Sequence, residues 1–343
     1  MTLTTTSRTD ADGGTPIEGV GARRRVLPPS LGVLAVFIPV GILVPLLLEG
    51  SHLFLATTAL AYALFALGTN VLFGWTGVSS FGQAAYFGVG AYTVGLFKDT
   101  FESPVLAVLV AAIAAAVFAA AFAAVASRIT GVEFAMLTLV FGQILWLLTF
   151  KFDALGGENG IPSISRGELF GENLFDAEMF WYFAVVVVLL SYLALRRIAG
   201  SSFGASMNAV RDDPLRAAAL GVNVRLVRVG AFTLAGTVAG VAGGLVAKQQ
   251  GLVTPNVLFW ALSGEVIVMC LIGGLRSFWG PAIGAVLLTV VDWYLFDRVA
   301  SPLLYIGLAL LLVVMLLPGG LASLPSIVRG RFRRRTKENS AAA

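Results

Sequence analysis

Long apolar stretches separated by short polar ones repeat along the whole chain. About ten of them have the length that a helix needs to cross a bilayer: 31–48, 54–73, 77–97, 104–126, 131–150, 179–195, 230–247, 257–275, 280–296 and 302–318. A bilayer core of about 30 Å takes roughly 20 apolar residues per helix. In lipid, each backbone N–H and C=O group must be satisfied within its own segment. The pattern therefore predicts an all-α polytopic membrane protein with about ten transmembrane helices.

The segment 77–97 differs from the other apolar stretches. Its five glycines are spread along its length: Gly77, Gly82, Gly88, Gly90 and Gly95. Polar side chains accompany them, and those that make candidates for a translocation path are Ser80, Gln83, Tyr86 and Tyr92. Broken helices of this kind line the paths of many transporters. The segment is predicted to be a broken or re-entrant helix that lines a cavity, and close helix packing is the alternative use of its glycines.

The basic residues indicate the orientation. With the N-terminus in the cytoplasm and ten alternating spans, 18 Lys and Arg residues lie inside and 5 outside, which together make the 23 of the chain. Cytoplasmic loops carry such an excess, and an odd number of spans would misplace either the loop 196–229 or the basic tail. Both termini are therefore expected in the cytoplasm. The predicted parts are a disordered N-terminal segment 1–30, a transmembrane domain 31–325 and a basic tail 326–343.

The composition excludes several classes of function. Apolar residues make up 58% and charged residues 12% of the chain, and the mean hydropathy is +0.89. The net charge is +4. The basic residues lie beside membrane spans, so anionic lipid and topology explain them better than nucleic-acid binding does. One cysteine and one histidine leave no intrachain disulfide or cysteine metal cluster. No phosphate-binding loop, zinc motif or nucleophile elbow occurs. We expect no catalytic residues, no metal and no bound cofactor.

Two loops are longer than simple connections. The loop 151–178, predicted outside, has six acidic and two basic residues, which fits a solvated loop as well as a docking or gating surface. The loop 196–229, predicted inside, can form a short amphipathic helix that Asp212 or Asp213 caps and Pro214 begins. Gly221 and Asn223 are expected to end it. Such a helix is a handle for another protein, or a loop that its arginines hold to lipid.

Few ionisable residues fall within the predicted spans, namely Glu133, Glu265 and Asp292. Glu265 is the deepest, and an acid inside the membrane is a functional candidate by default. It joins the path candidates, with a structural hydrogen bond between helices as the alternative. Three glycines with a spacing of four residues, Gly236, Gly240 and Gly244, form a face that allows close helix packing.

Three long segments resemble one known family. They are FGWTGVSSFGQAAYFGVGAYTVGLF, AVRDDPLRAAALGVNVRLVRVGAFTLAGTVAGVAGGL and GLVTPNVLFWALSGEVIVMCLIGGLRSFWGPAIGAVLL, followed by the closing LLPGGLAS. In order and spacing they are similar to the branched-chain amino-acid ABC permeases of the Liv type, closer to the LivM branch. The resemblance covers roughly residues 53–325.

This resemblance implies a subunit of a prokaryotic importer in the inner or plasma membrane. The implied partners are a second, homologous permease, two cytosolic ATP-binding subunits, an extracytoplasmic substrate-binding protein and a small-molecule substrate. The ATP is used by the partner subunits, so the chain is not expected to be an enzyme. The loop 151–178 becomes a contact for the binding protein.

The residues that match the ATPase-coupling loop of the family are Arg211, Asp212, Asp213, Pro214, Ala217, Ala218, Ala219 and Gly221. The acid that often starts the coupling motif has no clear match, since Asp212 and Asp213 are offset. Branched-chain or other neutral amino acids are the expected substrates. A permease for urea or short-chain amides and, further off, a stand-alone carrier or channel are the alternatives.

Overall fold

The computed structural model describes residues 29–100, 103–129, 131–169, 172–296, 298, 307 and 320–323. These residues are mostly helical. The α-helices in this part of the chain are α1 Pro29–Leu47, α2 Ser51–Asn70, α3 Gln83–Leu96, α4 Pro104–Ala126, α5 Val132–Lys151, α6 Ala177–Ala199, α7 Ser202–Asp212, α8 Pro214–Ala219, α9 Val224–Gln250, α10 Trp260–Gly273 and α11 Gly280–Phe296. The two-residue strands are β1 Ile161–Pro162, β2 Glu168–Leu169, β3 Glu172–Asn173 and β4 Leu252–Val253.

Some predicted features lie outside the described residues. They are the tenth span, 302–318, apart from Gly307, the basic tail 326–343, and all of the N-terminal segment 1–30 except Pro29 and Ser30, which begin α1.

Five helices of the described part are long and apolar enough to cross a membrane. They are α2 with its continuation to Thr76, α4, α5, α6 and α9. The helices α10 and α11 are apolar but shorter. The protein is therefore a multi-pass helical membrane protein, and the predicted count of ten spans stays a prediction.

Helix α9 lies at the centre of the bundle and packs against α4, α3 and α2. Of its most apolar stretch 67% is buried, against 33% for α4. The side chains that α4 exposes are nonetheless apolar, as at Ile113, Val117 and Val125. An apolar helix with an exposed apolar face fits a lipid environment, so α4 lies at the lipid-facing periphery and α9 in the protein core.

The segment 77–97 is not one continuous helix. Helix α2 continues as a π-helical turn, Val71–Thr76, in which the Thr76 hydroxyl donates to the Val71 carbonyl oxygen at 2.8 Å. Residues 77–82 are not helical, and α3 begins at Gln83 instead of Gly77. With 14 residues, α3 is about 21 Å long, shorter than the bilayer core of about 30 Å. Polar side chains from distant helices occupy this break, as described below.

Candidate functional site

The loop 196–229 contains two short helices, α7 and α8, where the sequence predicted one. Helix α7 begins after Ser201, whose hydroxyl accepts a hydrogen bond from the Gly204 N–H at 3.4 Å. It buries Met207 and Val210 and thereby packs on the bundle. The prediction missed α7 because its start, GSSFGASMN, is rich in glycine and serine, which favour loops.

Helix α8 is fixed at its start by Asp213. One carboxylate oxygen of Asp213 accepts hydrogen bonds from the N–H groups of Leu215 and Arg216, both at 3.0 Å, and Pro214 occupies the first helical turn. This is a typical helix N-cap. Asp213 is thus the capping residue of the two that the sequence offered, whereas Asp212 is exposed.

Gly221 ends α8 in a Schellman motif. Its φ is +88°, its N–H donates to the Ala218 carbonyl oxygen at 2.9 Å, and the Val222 N–H donates to the Ala217 carbonyl oxygen at 3.1 Å. These two bonds and the left-handed glycine define this C-cap. Asn223 was expected to help end α8, but its side chain caps the first turn of α9.

The outer face of α8 is apolar and exposed. Leu215 is 83% and Leu220 79% exposed, while Ala218 and Ala219 between them are exposed as well and only Ala217 is buried. This face lies in the loop that connects α6 and α9, beyond the apolar part of the bundle. Large exposed aliphatic side chains in such a place mark an interaction surface.

Arg211 connects these short helices to the break after α2. Its guanidinium Nη1 donates to the Gly74 carbonyl oxygen in the π-helical turn. A Cβ at Gly77, whose φ is +70°, would lie 2.8 Å from Cγ of Arg211. Arg211 therefore contacts the turn at Gly74 and also the residue that follows the turn, Gly77, so a displacement of α7 would be transmitted to this part of the chain.

Three of the path candidates lie together at the start of α3. Ser80, Gln83 and Tyr86 are completely buried. The Phe81 N–H donates to Oγ1 of Thr138 at 3.0 Å. Within the described part of the chain, neither the amide group of Gln83 nor the hydroxyl of Tyr86 has a hydrogen-bond partner. Buried polar groups are rarely left without a partner, so these two side chains are candidates to meet a polar ligand.

Helix α10 reaches the same point. The Ala84 N–H donates to Oγ of Ser263 at 2.8 Å. The break is therefore held from α5 by Thr138 and from α10 by Ser263. Ser263 and Thr138 were not among the predicted candidates, because only the folded chain brings residues so distant in sequence together.

The other two path candidates lie elsewhere. Tyr92 lines a cavity of about 200 Å³ with Thr149 and Leu258. Glu265 lines a separate cavity of about 330 Å³ between α2, α10 and α11, together with Asp292. The five candidates thus fall into three places, and the structure does not bring them together in one path.

The three predicted packing glycines of α9 face α4. A Cβ on each of them would meet the Cβ of an alanine, in the pairs Gly236 with Ala119, Gly240 with Ala115 and Gly244 with Ala111. The small residues of both helices let the two backbones approach closely.

The loop after α5 is ordered and tied to the bundle. Strand β1 pairs antiparallel with β4, which follows α9, with Ile161 opposite Val253. The Ile164 N–H donates to the Gly251 carbonyl oxygen at 2.9 Å. This loop therefore forms a fixed cap at the end of the molecule opposite α8.

Two basic side chains at this loop, Lys248 and Arg166, donate to backbone carbonyl oxygens, whereas Lys151 at its start is exposed. Lys248 Nζ donates to the Ser165 carbonyl oxygen at 2.9 Å. Arg166 donates to the carbonyl oxygens of Phe175 and Gln249 at 2.9 and 3.0 Å, and its partial burial lowers its pKa from the ordinary value. Neither of the two ion pairs in the described part of the chain involves this loop. Its acidic residues with described side chains are exposed: Asp153, Glu158, Glu168, Asp176 and Glu178.

Comparison with known proteins identifies the family. Residues 51–318 match the family described as branched-chain amino acid transport system, permease component. The chain belongs to this permease family. It is 28% identical over 330 residues to the high-affinity branched-chain amino acid transport system permease protein LivM of Escherichia coli K12, covering 89% of this chain and 76% of that protein.

Two further relatives are more distant or shorter in extent. The probable branched-chain amino acid transport permease protein LivH of Methanocaldococcus jannaschii is 26% identical over 278 residues, 74% of this chain and 84% of LivH. The autoinducer 2 import system permease protein LsrC of Salmonella typhimurium is 32% identical over 118 residues, 33% of each chain. No solved structure matches the permease.

The permease also has a cavity on which the sequence placed no candidate. It measures about 440 Å³ and is lined by residues of the break 77–81, the end of α4, the start of α5, and Arg228 and Phe232 of α9. Four separate parts of the chain form it, so no local pattern pointed to it. It lies at the same end of the bundle as α8, because Gly77 of its wall contacts Arg211.

Proposed function

We propose that the chain is the membrane permease subunit of an ATP-driven, binding-protein-dependent importer of branched-chain or other neutral amino acids. The family and the relatives named for branched-chain amino acid transport support this proposal. The observation that carries it is the exposed apolar face of α8 around Leu215 and Leu220, in a chain without a phosphate-binding loop of its own. Such a chain needs a separate ATPase and has a surface suited to bind one.

The complete transporter in this proposal has two permeases, two cytosolic ATPases and an extracytoplasmic binding protein. It lies in the inner or plasma membrane of a prokaryote, with α7 and α8 and both termini in the cytoplasm. The ordered loop 151–178 then faces outward and receives the binding protein. The loop exposes five described carboxylates and one cation, Lys151, while Arg166 is engaged with carbonyl oxygens. A basic surface of the binding protein is therefore the complementary partner.

Coupling proceeds through Arg211 in this mechanism. The ATPases grip α8 through Leu215 and Leu220 and move it with α7 when they bind ATP. Arg211 transmits the movement to the Gly74 carbonyl group and the π-helical turn. The non-helical residues 77–82 then shift, and with them the buried polar start of α3. Pi-helical turns are often found at functional sites, and this one supplies the flexible point between the coupling helices and the path.

Among the path candidates, this mechanism favours those at the start of α3. Ser80, Gln83 and Tyr86 lie in or next to the segment that moves. The amide group of Gln83 and the hydroxyl of Tyr86 have no hydrogen-bond partner in the described part of the chain, whereas the Ser80 hydroxyl accepts from the Gly82 N–H. Tyr92 and Glu265 line other cavities. We assign Ser80, Gln83 and Tyr86 to the path. To Glu265 we assign a structural role between helices in the outer half of the bundle.

The decisive experiment is ATP-driven leucine uptake by the complete complex in proteoliposomes, with the double variant Leu215→Asp/Leu220→Asp. Two carboxylates on the apolar face should remove the ATPases from the purified permease and abolish uptake. The matched control is Ser202→Asp, an exposed position at the far end of α7, which should keep both.

Other outcomes would contradict the proposal. Uptake by the permease without ATPases would indicate a stand-alone carrier or channel. Competition by urea or acetamide, with none by isoleucine or valine, would indicate an amide importer.

A further inference from the structure

We infer that the cavity beside Arg228 is an inward-facing binding site for a neutral aliphatic amino acid, whose carboxylate pairs with the Arg228 guanidinium. The inference rests on the proposed function and adds a site to it. The cavity, about 440 Å³, falls in the range of small-molecule sites.

Arg228 is the one charged residue among the side chains that line this cavity. Its Nε atom is buried and has no partner in the described part of the chain, where no hydrogen bond or ion pair of Arg228 is formed. The side chain as a whole is only partly buried, so its guanidinium group is accessible from the cavity, but a buried N–H group without an acceptor is unfavourable. An incoming carboxylate can supply the missing acceptor in a charge-assisted, bidentate geometry.

The neighbouring arginines are already engaged, which distinguishes Arg228 from them. Arg211 donates to the Gly74 carbonyl oxygen. Arg225, one turn before Arg228, donates to Ser127 Oγ at 3.1 Å and to the Ala124 carbonyl oxygen at 2.9 Å. Arg216 pairs with Asp213 at 3.5 Å. Of these four arginines, Arg228 alone has no partner in the described part of the chain, so it is available to bind a ligand.

The rest of the wall suits an aliphatic side chain. Most of it is apolar, including Phe81, Val132, Phe134 and Phe232. The Ser79 side chain lines the cavity and is exposed, so its hydroxyl oxygen can accept from an ammonium group. The Arg228 cation, the Ser79 hydroxyl and the apolar wall match the carboxylate, the ammonium group and the side chain of leucine, isoleucine or valine.

The position of the site explains how ATP could empty it. The wall segment 77–81 begins at Gly77, against which Arg211 packs. A movement of α7 and α8 therefore changes the shape of this cavity directly. Amino acid bound here is the last occupant of the path before release, and a high internal concentration should keep the site filled and slow the transporter.

The test is inhibition of uptake from the inside. The complete complex is reconstituted in zwitterionic lipid with ATP and increasing L-leucine inside, and with binding protein and labelled leucine outside. Internal leucine should slow uptake, whereas internal leucinamide, which lacks the carboxylate, should not. Arg228→Gln should raise the half-inhibiting leucine concentration by about tenfold or more, the effect of losing a charged hydrogen bond. Arg228→Lys should raise it less, because the charge remains.

Arg197→Gln is the matched control, because Arg197 is exposed near the end of α6, at the same end of the bundle, and does not line the cavity. It should leave the half-inhibiting concentration unchanged. The inference would be overturned if the same internal leucine concentration halved uptake by Arg228→Gln and by the wild type. It would also be overturned if internal leucine did not slow uptake by the wild type. In both cases the proposed function stands. A wild-type complex that takes up no leucine would instead refute the proposed function.

A labelling experiment tests the site without transport. The single native cysteine of this chain, Cys270, is buried, so Ser79→Cys gives the permease one accessible thiol, in the cavity. The complex is studied in nanodiscs, and the complex without this substitution is the blank for labelling of the other subunits. Leucine should slow the reaction of the introduced thiol with a methanethiosulfonate reagent, and Arg228→Gln should remove this protection. A phospholipid also combines an anionic group, its phosphate, with aliphatic chains. Protection by phosphatidylglycerol in the nanodisc, with none by leucine, would assign the site to lipid and overturn the inference.

Discussion

At the scale of single residues, Gly221 controls where the coupling helix ends. Its φ of +88° is in the left-handed region, and no atom lies within 4 Å of the position that a Cβ would occupy. A side chain at this position would therefore meet no obstacle. Any effect of a substitution must come from the backbone conformation, which glycine adopts freely and β-branched residues avoid.

We predict that Gly221→Val uncouples ATP hydrolysis from transport. The left-handed conformation costs a β-branched residue roughly 1–2 kcal/mol, so the last turn of α8 should fray and Leu220 should lose its fixed position. Leucine uptake is expected to fall several-fold, while ATP hydrolysis and membrane insertion persist. Gly221→Asn is the control, because asparagine tolerates this conformation, and it should remain near wild type. Equal uptake by the valine and asparagine variants would show that the Schellman motif is not needed for coupling.

The residues around α8 also show which features a sequence can predict. A cap at Asp213 and a stop at Gly221 depend on neighbours within four positions, and both were expected. The different role of Asn223, which begins α9, could not be foreseen because α8 and α9 are separated by only four residues. One asparagine there serves equally well as the end of one helix or the start of the next.

At the scale of elements, the contact between α9 and α4 depends on small residues on both sides. The glycines of α9 lie opposite alanines of α4, and a Cβ at Gly236 would overlap the Cβ of Ala119. Lipid supplies little hydrophobic drive for helices to associate, so close van der Waals packing has to hold them. The central position of α9 thus depends on the volume at these pairs.

We predict that Gly236→Ala destabilises the protein and that Ala119→Gly in the same chain restores most of the loss. Overpacking of a tight core costs typically about 1–3 kcal/mol, and the second change removes the atom that the new Cβ would meet. Thermal unfolding in detergent is the measurement. Gly264→Ala is the control, since nothing lies within 4 Å of its added Cβ. A double variant no more stable than Gly236→Ala would show that the two residues do not oppose each other.

The start of α3 shows where element prediction reaches its limit. The glycines and polar residues of 77–97 predicted a break, but not its position. Thr138 and Ser263 accept the backbone N–H groups of Phe81 and Ala84, and they lie 57 and 179 residues away in sequence. Since these distant side chains satisfy the backbone in place of the preceding turn, the helix can begin at Gln83. No local pattern contains this information.

At the scale of the whole molecule, the two ends of the bundle treat charge in opposite ways. At one end, Arg211 ties α7 to the turn after α2 and Arg225 ties α9 to the end of α4, while Arg228 has no partner in the described part of the chain. At the other end, Lys248 and Arg166 point inward to carbonyl oxygens. Lys248 and Arg166 thus serve internal structure at the predicted outer end, where the exposed carboxylates outnumber the exposed cations Lys151 and Arg298.

The apolar pattern was sufficient to predict a multi-pass helical protein, because lipid imposes length and apolarity on each span separately. The cavity beside Arg228 and the division of the path candidates could not be predicted. Tyr92 of α3 and Glu265 of α10 line different cavities, although Ala84 of α3 and Ser263 of α10 are joined by a hydrogen bond. Side chains from several helices decide such features, and a single sequence does not contain their arrangement in readable form.

The negative outer face leads to the last prediction, which concerns docking of the binding protein. Glu158 and Glu168 are exposed on the ordered loop and do not cap a helix, so Glu158→Gln/Glu168→Gln changes charge with little effect on the fold. If a basic surface docks there, the concentration of binding protein that gives half-maximal uptake should rise about threefold at low salt, since exposed ion pairs each contribute roughly 0.2–1 kcal/mol. Raising the ionic strength should weaken docking to the wild type more than to the variant, because about 0.1 M salt screens charges beyond about 10 Å.

Glu133→Gln, exposed at the opposite end of the bundle, is the control and should match the wild type. Identical salt dependence in all three proteins would place the docking contacts elsewhere on the outer face.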